Sequence, residues 1–201
     1  MVNAMNKLRK YFSFLLVLIL VFSFSNIALA NDIESIDIKA EIQDDASVII
    51  TDHRIFNATR GTEHYLSFGN LGESRLLDFK VFENGKELQD VGNWDVNKSI
   101  SEKAGKYGVN KTSNGFELCF GIGSLGRKDF TIQYKLSNFV RKLDDGKQAI
   151  YWQFIQPGMD PISRVNISVT NAKGFSYQFP DTKIWGFGYD GSTEITEDAL
   201  L

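Results

Sequence analysis

The chain has 201 residues, of which 22 are basic and 25 are acidic, so its formal net charge is −3 at pH 7. The first thirty residues contain three of the basic residues and none of the acidic ones, so the rest of the chain carries 19 against 25 and a net charge of −6. An acidic chain whose basic residues are scattered singly is a poor candidate for binding nucleic acid or anionic lipid, and we expect no nucleic-acid partner.

The N-terminus has the order of a secretory signal peptide. Lys7, Arg9 and Lys10 precede an apolar run over residues 11–24, and Ala28-Leu29-Ala30 provides a small-residue cleavage site. The run is shorter than the roughly 20 residues of a membrane-spanning helix. We predict a signal peptide over residues 1–30 and one extracytoplasmic domain over residues 31–201. The product would be secreted or held on the outer face of the cell membrane, with attachment only through a retained signal or a C-terminal region missing here.

Beyond Asn31 the apolar stretches are short, rich in Ile, Val, Phe, Tyr and Thr, and bounded by Gly, Asn or Asp, which is typical of strands. Residues 35–42 and 47–56 predict a first hairpin with Ile36, Ile38 and Ile42 facing inward. Residues 76–82 and 86–88 predict a second hairpin around Asn84-Gly85, because this dipeptide accepts the positive φ angles of a tight turn.

Residues 97–115 are polar and interrupted by glycine, so we expect a long exposed connection there, the most mobile part of the domain. Strands over 116–122 and 130–139 then flank residues 121–126, which spell G-x-G-x-x-G. Dinucleotide binding by that motif requires a helix directly after it. The following residues alternate like a strand, so we interpret the segment as a glycine-rich hairpin loop.

The run IYWQFI, residues 150–155, allows three interpretations: a sugar-binding platform, a partner surface, or the centre of a sheet. It lies between the turn residues 144–146 and Pro157-Gly158. Alternation places Ile150, Trp152 and Phe154 on one wholly apolar face, which favours a central strand with Trp152 as a core anchor. Tyr134, in the preceding strand, is expected in the same core. A further strand over 164–170 is predicted, with three inward side chains: Val165, Ile167 and Val169.

At least eight short strands without a persuasive helical period predict an all-β fold. We expect an antiparallel β-sandwich of two sheets, immunoglobulin-like or fibronectin-like in the broad sense.

The sequence indicates no catalytic residue, no cofactor and no metal site. His53 and His64 lack the spacing of zinc ligands, so we expect ordinary surface residues. Cys119, the only cysteine, lies in an apolar run where no basic residue or helix N-terminus would lower its pKa, which favours a buried structural thiol. We therefore expect a domain without enzymatic activity.

Three aromatic residues beside turns and glycines are weak candidates for stacking on a ligand: Trp94, Trp185 and Tyr189. Packing at the edge of the core is the other interpretation of these side chains.

The strands over 36–56, FTIQYKLSNFV (130–140), IYWQFI (150–155) and KIWGFGYDG (183–191) resemble the N-terminal extracytoplasmic domain of the YciQ-like predicted membrane proteins, domain of unknown function family 2207. The resemblance implies an export signal, a β-sandwich outside the membrane and, in longer relatives, transmembrane helices. It implies no activity, since the family has no established one. The first turn, residues 44–47, departs from the Asp-Gly that relatives commonly have there.

Three interpretations of the function remain open at this point. The first is an envelope-associated binding or interaction domain whose partners are other envelope proteins or cell-wall polymer. The second is a cell-wall carbohydrate-binding or carbohydrate-processing module. A purely structural spacer is a third, blander possibility.

Overall fold

A computed structural model describes residues 31–171 and 182–188 of the chain. The predicted signal peptide therefore lies outside the described residues. The described part contains twelve strands and one short helix, α1 (Ile100–Lys103). The strands are β1 (Asp32–Ile42), β2 (Val48–Ala58), β3 (Glu63–Gly69), β4 (Leu76–Glu83), β5 (Lys86–Glu87), β6 (Gln89–Asn93), β7 (Lys106–Thr112), β8 (Gly115–Gly121), β9 (Gly126–Leu136), β10 (Arg141–Lys142), β11 (Gln148–Ala149) and β12 (Val165–Asn171).

The strands form two main sheets that face each other. Sheet I has the order β12-β1-β2-β9-β4-β5, sheet II has the order β3-β8-β7-β6, and β10 and β11 form a separate small hairpin. Along β2 and β9 every second side chain is buried, which is the pattern of a sheet with one face against a core. Rings from the two sheets meet there, as Phe120 and Phe130 do at 4.8 Å. The predicted all-β sandwich is confirmed.

Most strand pairs are antiparallel, as predicted, but each main sheet also contains one parallel pair. β12 pairs in parallel with β1, and β6 pairs in parallel with β7. Parallel neighbours need a crossover that carries the chain back to the same end of the sheet. For β6 and β7 that crossover is the segment that contains α1.

The first two hairpins are confirmed. Ile36 and Ile38 are buried and Ile42 is half-buried, while β1 and β2 pair along almost their whole length. Asn84 and Gly85 both adopt positive φ, at 50° and 77°, as a tight hairpin turn requires. Sequence and backbone agree here because the turn chemistry is local.

The prediction of a long exposed connection over 97–115 was wrong. This segment contains α1 and all of β7, and the Tyr107 side chain is buried. A capping box begins the helix: the Ser99 hydroxyl accepts from the Glu102 amide, and the Glu102 carboxylate accepts from the Ser99 amide. The Ser-x-x-Glu spacing was therefore a readable signal for a helix start.

The glycine-rich segment is not a hairpin loop. β8 belongs to sheet II and β9 to sheet I, so residues 122–125 carry the chain from one sheet to the other. No helix follows, because Gly126 opens β9. Dinucleotide binding would require a helix directly after this segment, and β9 occupies that position instead. This agrees with our interpretation that the segment is not a dinucleotide site.

The IYWQFI run is not a central strand. Only Gln148 and Ala149 pair, in β11, and residues 150–155, which we call the strap, form no strand. Trp152 is half-buried, stacks on Phe68 of β3 at 5.9 Å and packs on Phe139 at 5.3 Å. The strap therefore packs its apolar side chains on the core without joining a ladder.

The facing of the strap was predicted correctly for residues 150–154, although its pairing was not; Ile155, predicted on the opposite face, also packs half-buried against the core. Ile150, Trp152 and Phe154 are half-buried against the core, whereas Tyr151 is 92% exposed. Tyr134 is buried in β9, as predicted. In β12, Val169 is buried and Ile167 half-buried, but Val165 at the strand start is exposed rather than inward.

Candidate functional site

The interior of the sandwich contains a charged group of residues. Asp52 and Arg54 lie two positions apart on β2, so both side chains point to the core-facing side of sheet I, where each is almost fully buried. Nε and Nη2 of Arg54 donate to the two Asp52 carboxylate oxygens, each at 2.7 Å. This bidentate geometry is the strongest arrangement of a guanidinium and a carboxylate.

The third member of this group comes from the opposite sheet. Nη1 of Arg54 lies 3.2 Å from Nε2 of His64, which is on β3. The imidazole also packs between two rings, Phe56 at 4.9 Å and Phe120 at 5.5 Å. We call Asp52, Arg54 and His64 the Arg54 cluster, and it links the two sheets through a polar contact.

His64 was expected at the surface, and the structure corrects that prediction. Burial, and secondly the positive charge of Arg54, lower the pKa of His64 from 6.5 to about 3. The ring is therefore neutral at ordinary pH, and its Nε2 is occupied as a hydrogen-bond acceptor. His53, by contrast, is only partly covered and lies 2.9 Å from Asp129 on the outer face of sheet I.

A second buried ionic group lies on the outer side of sheet II, under α1. Nζ of Lys103 lies 2.6 Å from Oε2 of Glu63, 2.9 Å from the Thr62 hydroxyl and 2.7 Å from the Val96 carbonyl oxygen. Three acceptors satisfy all three donors of an ammonium group. Nε1 of Trp94 donates to the same Glu63 oxygen at 2.6 Å. Glu63, Trp94 and Lys103 form what we call the Lys103 cluster.

Trp94 is therefore not a ligand-stacking residue. Its side chain is 8% exposed, its indole N–H is bonded to Glu63, and its ring lies 5.9 Å from Nζ of Lys103. The segment that contains α1 buries this side chain, although residues 97–115 were predicted to be an exposed connection.

The other aromatic candidates fall in different places. Trp185 is 69% exposed and the neighbouring Phe187 is 80% exposed, whereas Tyr189 lies outside the described residues. Of the two candidates that the structure describes, Trp94 is therefore buried and Trp185 is exposed.

Cys119 is fully buried, as expected of a structural thiol. Burial, followed by the charges of Glu63 and Glu117, raises its pKa to about 12. The thiol is protonated at neutral pH and is a poor nucleophile in that form. In residues 31–171 and 182–188, no three His, Cys, Asp or Glu side chains group in a way that could hold a metal ion.

The open edge of β3 is a surface feature that sequence reasoning did not identify. The Thr62 carbonyl oxygen accepts from the Ile122 amide, and the Asn70 amide donates to the Asn114 carbonyl oxygen, so even-numbered residues of this region bond to the β8 side. In an antiparallel pair the intervening residues direct their N–H and C=O groups the other way. Four residues therefore present these groups at an edge where no described strand pairs: Glu63, Tyr65, Ser67 and Gly69.

These features define a β-sandwich domain with internally paired ionic groups and a free strand edge. Residues 32–199 match a family model described as "Predicted membrane protein (DUF2207) N-terminal domain". The chain belongs to this family, as the strand resemblance implied. The described helix is too short to cross a bilayer.

Comparisons beyond the family give distant similarities. No curated protein matches the chain. Yeast LTA4 hydrolase in complex with bestatin is 10% identical, with a TM-score of 0.45 over 76% of this chain and 25% of the hydrolase, and the native yeast enzyme is 11% identical, with a TM-score of 0.45 over 79% and 26%. A putative nutrient binding protein from Legionella pneumophila is 12% identical, with a TM-score of 0.33 over 53% of this chain and 39% of that protein. The chain thus spans about a quarter of the hydrolases, and such TM-scores support no functional argument.

Proposed function

We propose that this chain is an exported interaction domain without enzymatic activity, displayed on the extracytoplasmic side of the membrane, where it binds other envelope components. The family assignment supports an association with the membrane. The order of charged, apolar and small residues at the N-terminus supports export.

One observation carries the proposal: the side chains best suited to chemistry are engaged with one another inside the fold. Arg54 holds both Asp52 and His64, and Lys103 holds Glu63. Removing one partner of such a buried pair leaves an uncompensated charge, so each group depends on its partner inside the fold. The groups left at the surface are the backbone edge of β3 and exposed rings such as Tyr151, which suit binding.

Export is tested on the full chain expressed in its host. The cells are fractionated, and the N-terminus of the product is determined by mass spectrometry. We expect either a product that starts at Asn31 or a product that keeps its N-terminus and sediments with membranes. In both cases protease added to spheroplasts should degrade the product. A soluble cytoplasmic product with an intact N-terminus would overturn the proposal.

Binding is tested by site-specific photo-crosslinking in living cells. The probe replaces Tyr151, which protrudes from the strap, and a matched probe replaces Lys39 on the outer face of sheet I. We expect Tyr151 to crosslink to an envelope component and Lys39 to give no product at the same expression level. Hydrolysis of a polysaccharide or peptide by the purified chain, with loss on carboxylate substitution, would instead establish an enzyme.

A carbohydrate-binding role is the second candidate, because Trp185 and Phe187 are exposed two positions apart. The chain has three tryptophans, and Trp94 and Trp152 pack internally, so a ligand-induced fluorescence change would come from Trp185. Titration with peptidoglycan fragments and glycans tests this role, with Trp185→Phe as the control. Unchanged emission across the panel would count against it.

A further inference from the structure

We propose that two copies of this chain associate through their β3 edges, which pair antiparallel about a two-fold axis and join the two copies of sheet II into one eight-stranded sheet. The proposal rests on the proposed interaction function and names one surface and one partner for it.

The edge of β3 lacks the features that usually protect an edge strand. Its seven residues, EHYLSFG, include no proline and no lysine, and the carboxylate of Glu63 is paired with Lys103. The pairing with β8 continues from Glu63 to Gly69 without a bulge. Proteins commonly block exposed edges by charges, proline, bulges or short length. In sheet II the other edge, β6, is interrupted by a register shift and by Gly92 at a φ of 66°. Of these two edges, β3 is the one suited to strand addition.

A second copy fits this edge because the strand is complementary to itself. With the axis at Leu66, Tyr65 lies opposite Ser67 of the second copy and Glu63 lies opposite Gly69 of the second copy. All four residues are those whose N–H and C=O groups point outward. Each copy then contributes four donors and four acceptors, which satisfies the whole edge with eight hydrogen bonds.

The charges and side chains also fit this register. The two Glu63 carboxylates lie at opposite ends of the paired strands, about 20 Å apart, and each is already paired with its own Lys103. Tyr65, the exposed side chain of the strand at 53%, is opposed by the small Ser67. On the inner side Leu66 meets Leu66 of the second copy, so the axis lies between two apolar side chains.

Proline at an outward-facing position tests the pairing without breaking the bonds to β8. The Ser67 N–H points to the open edge, so Ser67→Pro removes one donor per copy and places a ring at the interface. Val165→Pro is the matched control, because the Arg164 carbonyl oxygen accepts from the Ile36 amide and this places the Val165 N–H on the open side of β12. Circular dichroism checks that both variants fold. Should Ser67→Pro not fold, Tyr65→Lys replaces it and brings two like charges close together across the axis.

The measurement is sedimentation equilibrium of the full chain, purified from cells that express it. We expect a dimer for the wild type and Val165→Pro, and a dissociation constant at least about tenfold higher for Ser67→Pro or Tyr65→Lys. A monomeric wild type, or a dimer unaffected by both β3 substitutions, would overturn this inference. A monomer that still crosslinks through Tyr151 would leave the proposed function standing, whereas a dimer without envelope crosslinks would remove that function and keep the pairing.

Discussion

Nη1 of Arg54 and Nε2 of His64 lie 3.2 Å apart, and this hydrogen bond connects sheet I to sheet II inside the sandwich. A guanidinium has only donors, so Nε2 of His64 is the acceptor and the imidazole proton is on Nδ1. Protonation of Nε2 would remove the acceptor and place two cations in contact. The native fold therefore requires a neutral His64.

This requirement predicts a pH dependence of stability. The pKa of His64 is lowered from 6.5 to about 3 in the folded protein, chiefly by burial. Between these pH values His64 is protonated in the unfolded chain but not in the folded chain. The contribution of neutral His64 to the free energy of unfolding is therefore complete above pH 6.5 and is lost as the pH falls toward 3. We expect a loss of about 1.4 kcal/mol per pH unit across this window. Urea unfolding at pH 4 to 8 measures it.

His64→Gln isolates this contribution, because the Gln carbonyl oxygen can accept from Arg54 but does not titrate. We expect a flatter dependence of the unfolding free energy on pH for this variant. His53→Gln, on the outer face of sheet I, is the matched control and should retain a steeper dependence than His64→Gln, because the contact between Arg54 and His64 remains intact. An unchanged slope in His64→Gln would contradict the assignment.

The sequence contained part of this arrangement. The period of two along β2 places Asp52 and Arg54 on the same face as Val48, Ile50 and Phe56, so an inward pair of opposite charges was readable from residues 48–56. The contact with His64 was not readable, because it joins two sheets whose packing no local pattern specifies. The strap shows the same limit: alternation reports which side chains face the core, but not whether the backbone has a hydrogen-bonding partner.

The Lys103 cluster predicts a large cost for removing its cation. Lys103→Met leaves the Glu63 carboxylate covered by Trp94 without a positive partner, and we expect a loss of about 3 kcal/mol in the free energy of unfolding. Combining it with Glu63→Gln should cost less than the sum of the single changes, since the two residues are in direct contact.

The matched control is an exposed ion pair of the same chemical type. Lys39 and Glu41 lie 3.1 Å apart with side chains 57% and 45% exposed. Lys39→Met should change stability by less than about 1 kcal/mol, because exposed pairs are screened by water. Equal effects of Lys39→Met and Lys103→Met would show that burial of the cluster does not matter.

We predict a steric role for Gly121, which its place in the G-x-G-x-x-G motif does not indicate. A Cβ atom at this position would overlap the Lys103 carbonyl oxygen, so glycine is needed for the close approach of α1 to β8. Gly121→Ala should cost about 3 kcal/mol or more. The control is Gly69→Ala, whose Cβ would have its nearest contact with Nδ2 of the Asn114 side chain, at 3.4 Å. A stable Gly121→Ala chain with a normal unfolding midpoint would contradict this role.

We predict that a substitution of Ala46, in the first turn, stabilises the protein. Ala46 has a φ of 62°, which a residue with a Cβ adopts at a cost of about 1 kcal/mol. Ala46→Gly should therefore raise the unfolding free energy by up to about that amount. Asn84→Gly is the control, since asparagine tolerates its φ of 50° well and should change little. A lower thermal midpoint for Ala46→Gly would show that the turn carries no such strain.

Substitutions of Trp152 test how much the strap contributes to the free energy of unfolding. The Trp152 ring packs on Phe68 and Phe139, but it is half-buried, so Trp152→Ala should cost about 2 kcal/mol rather than the full penalty of a central core residue. Trp152→Phe should restore most of the stability, because it keeps the ring packing on Phe68 and Phe139.

Tyr151→Ala is the matched control for the strap, because this neighbouring side chain is 92% exposed. It should leave the urea midpoint unchanged while Trp152→Ala lowers it. The order expected for the unfolding midpoints is wild type and Tyr151→Ala highest, Trp152→Phe close below, and Trp152→Ala lowest. If Tyr151→Ala destabilised the chain as much as Trp152→Ala, the strap would have to face the core with the opposite set of side chains.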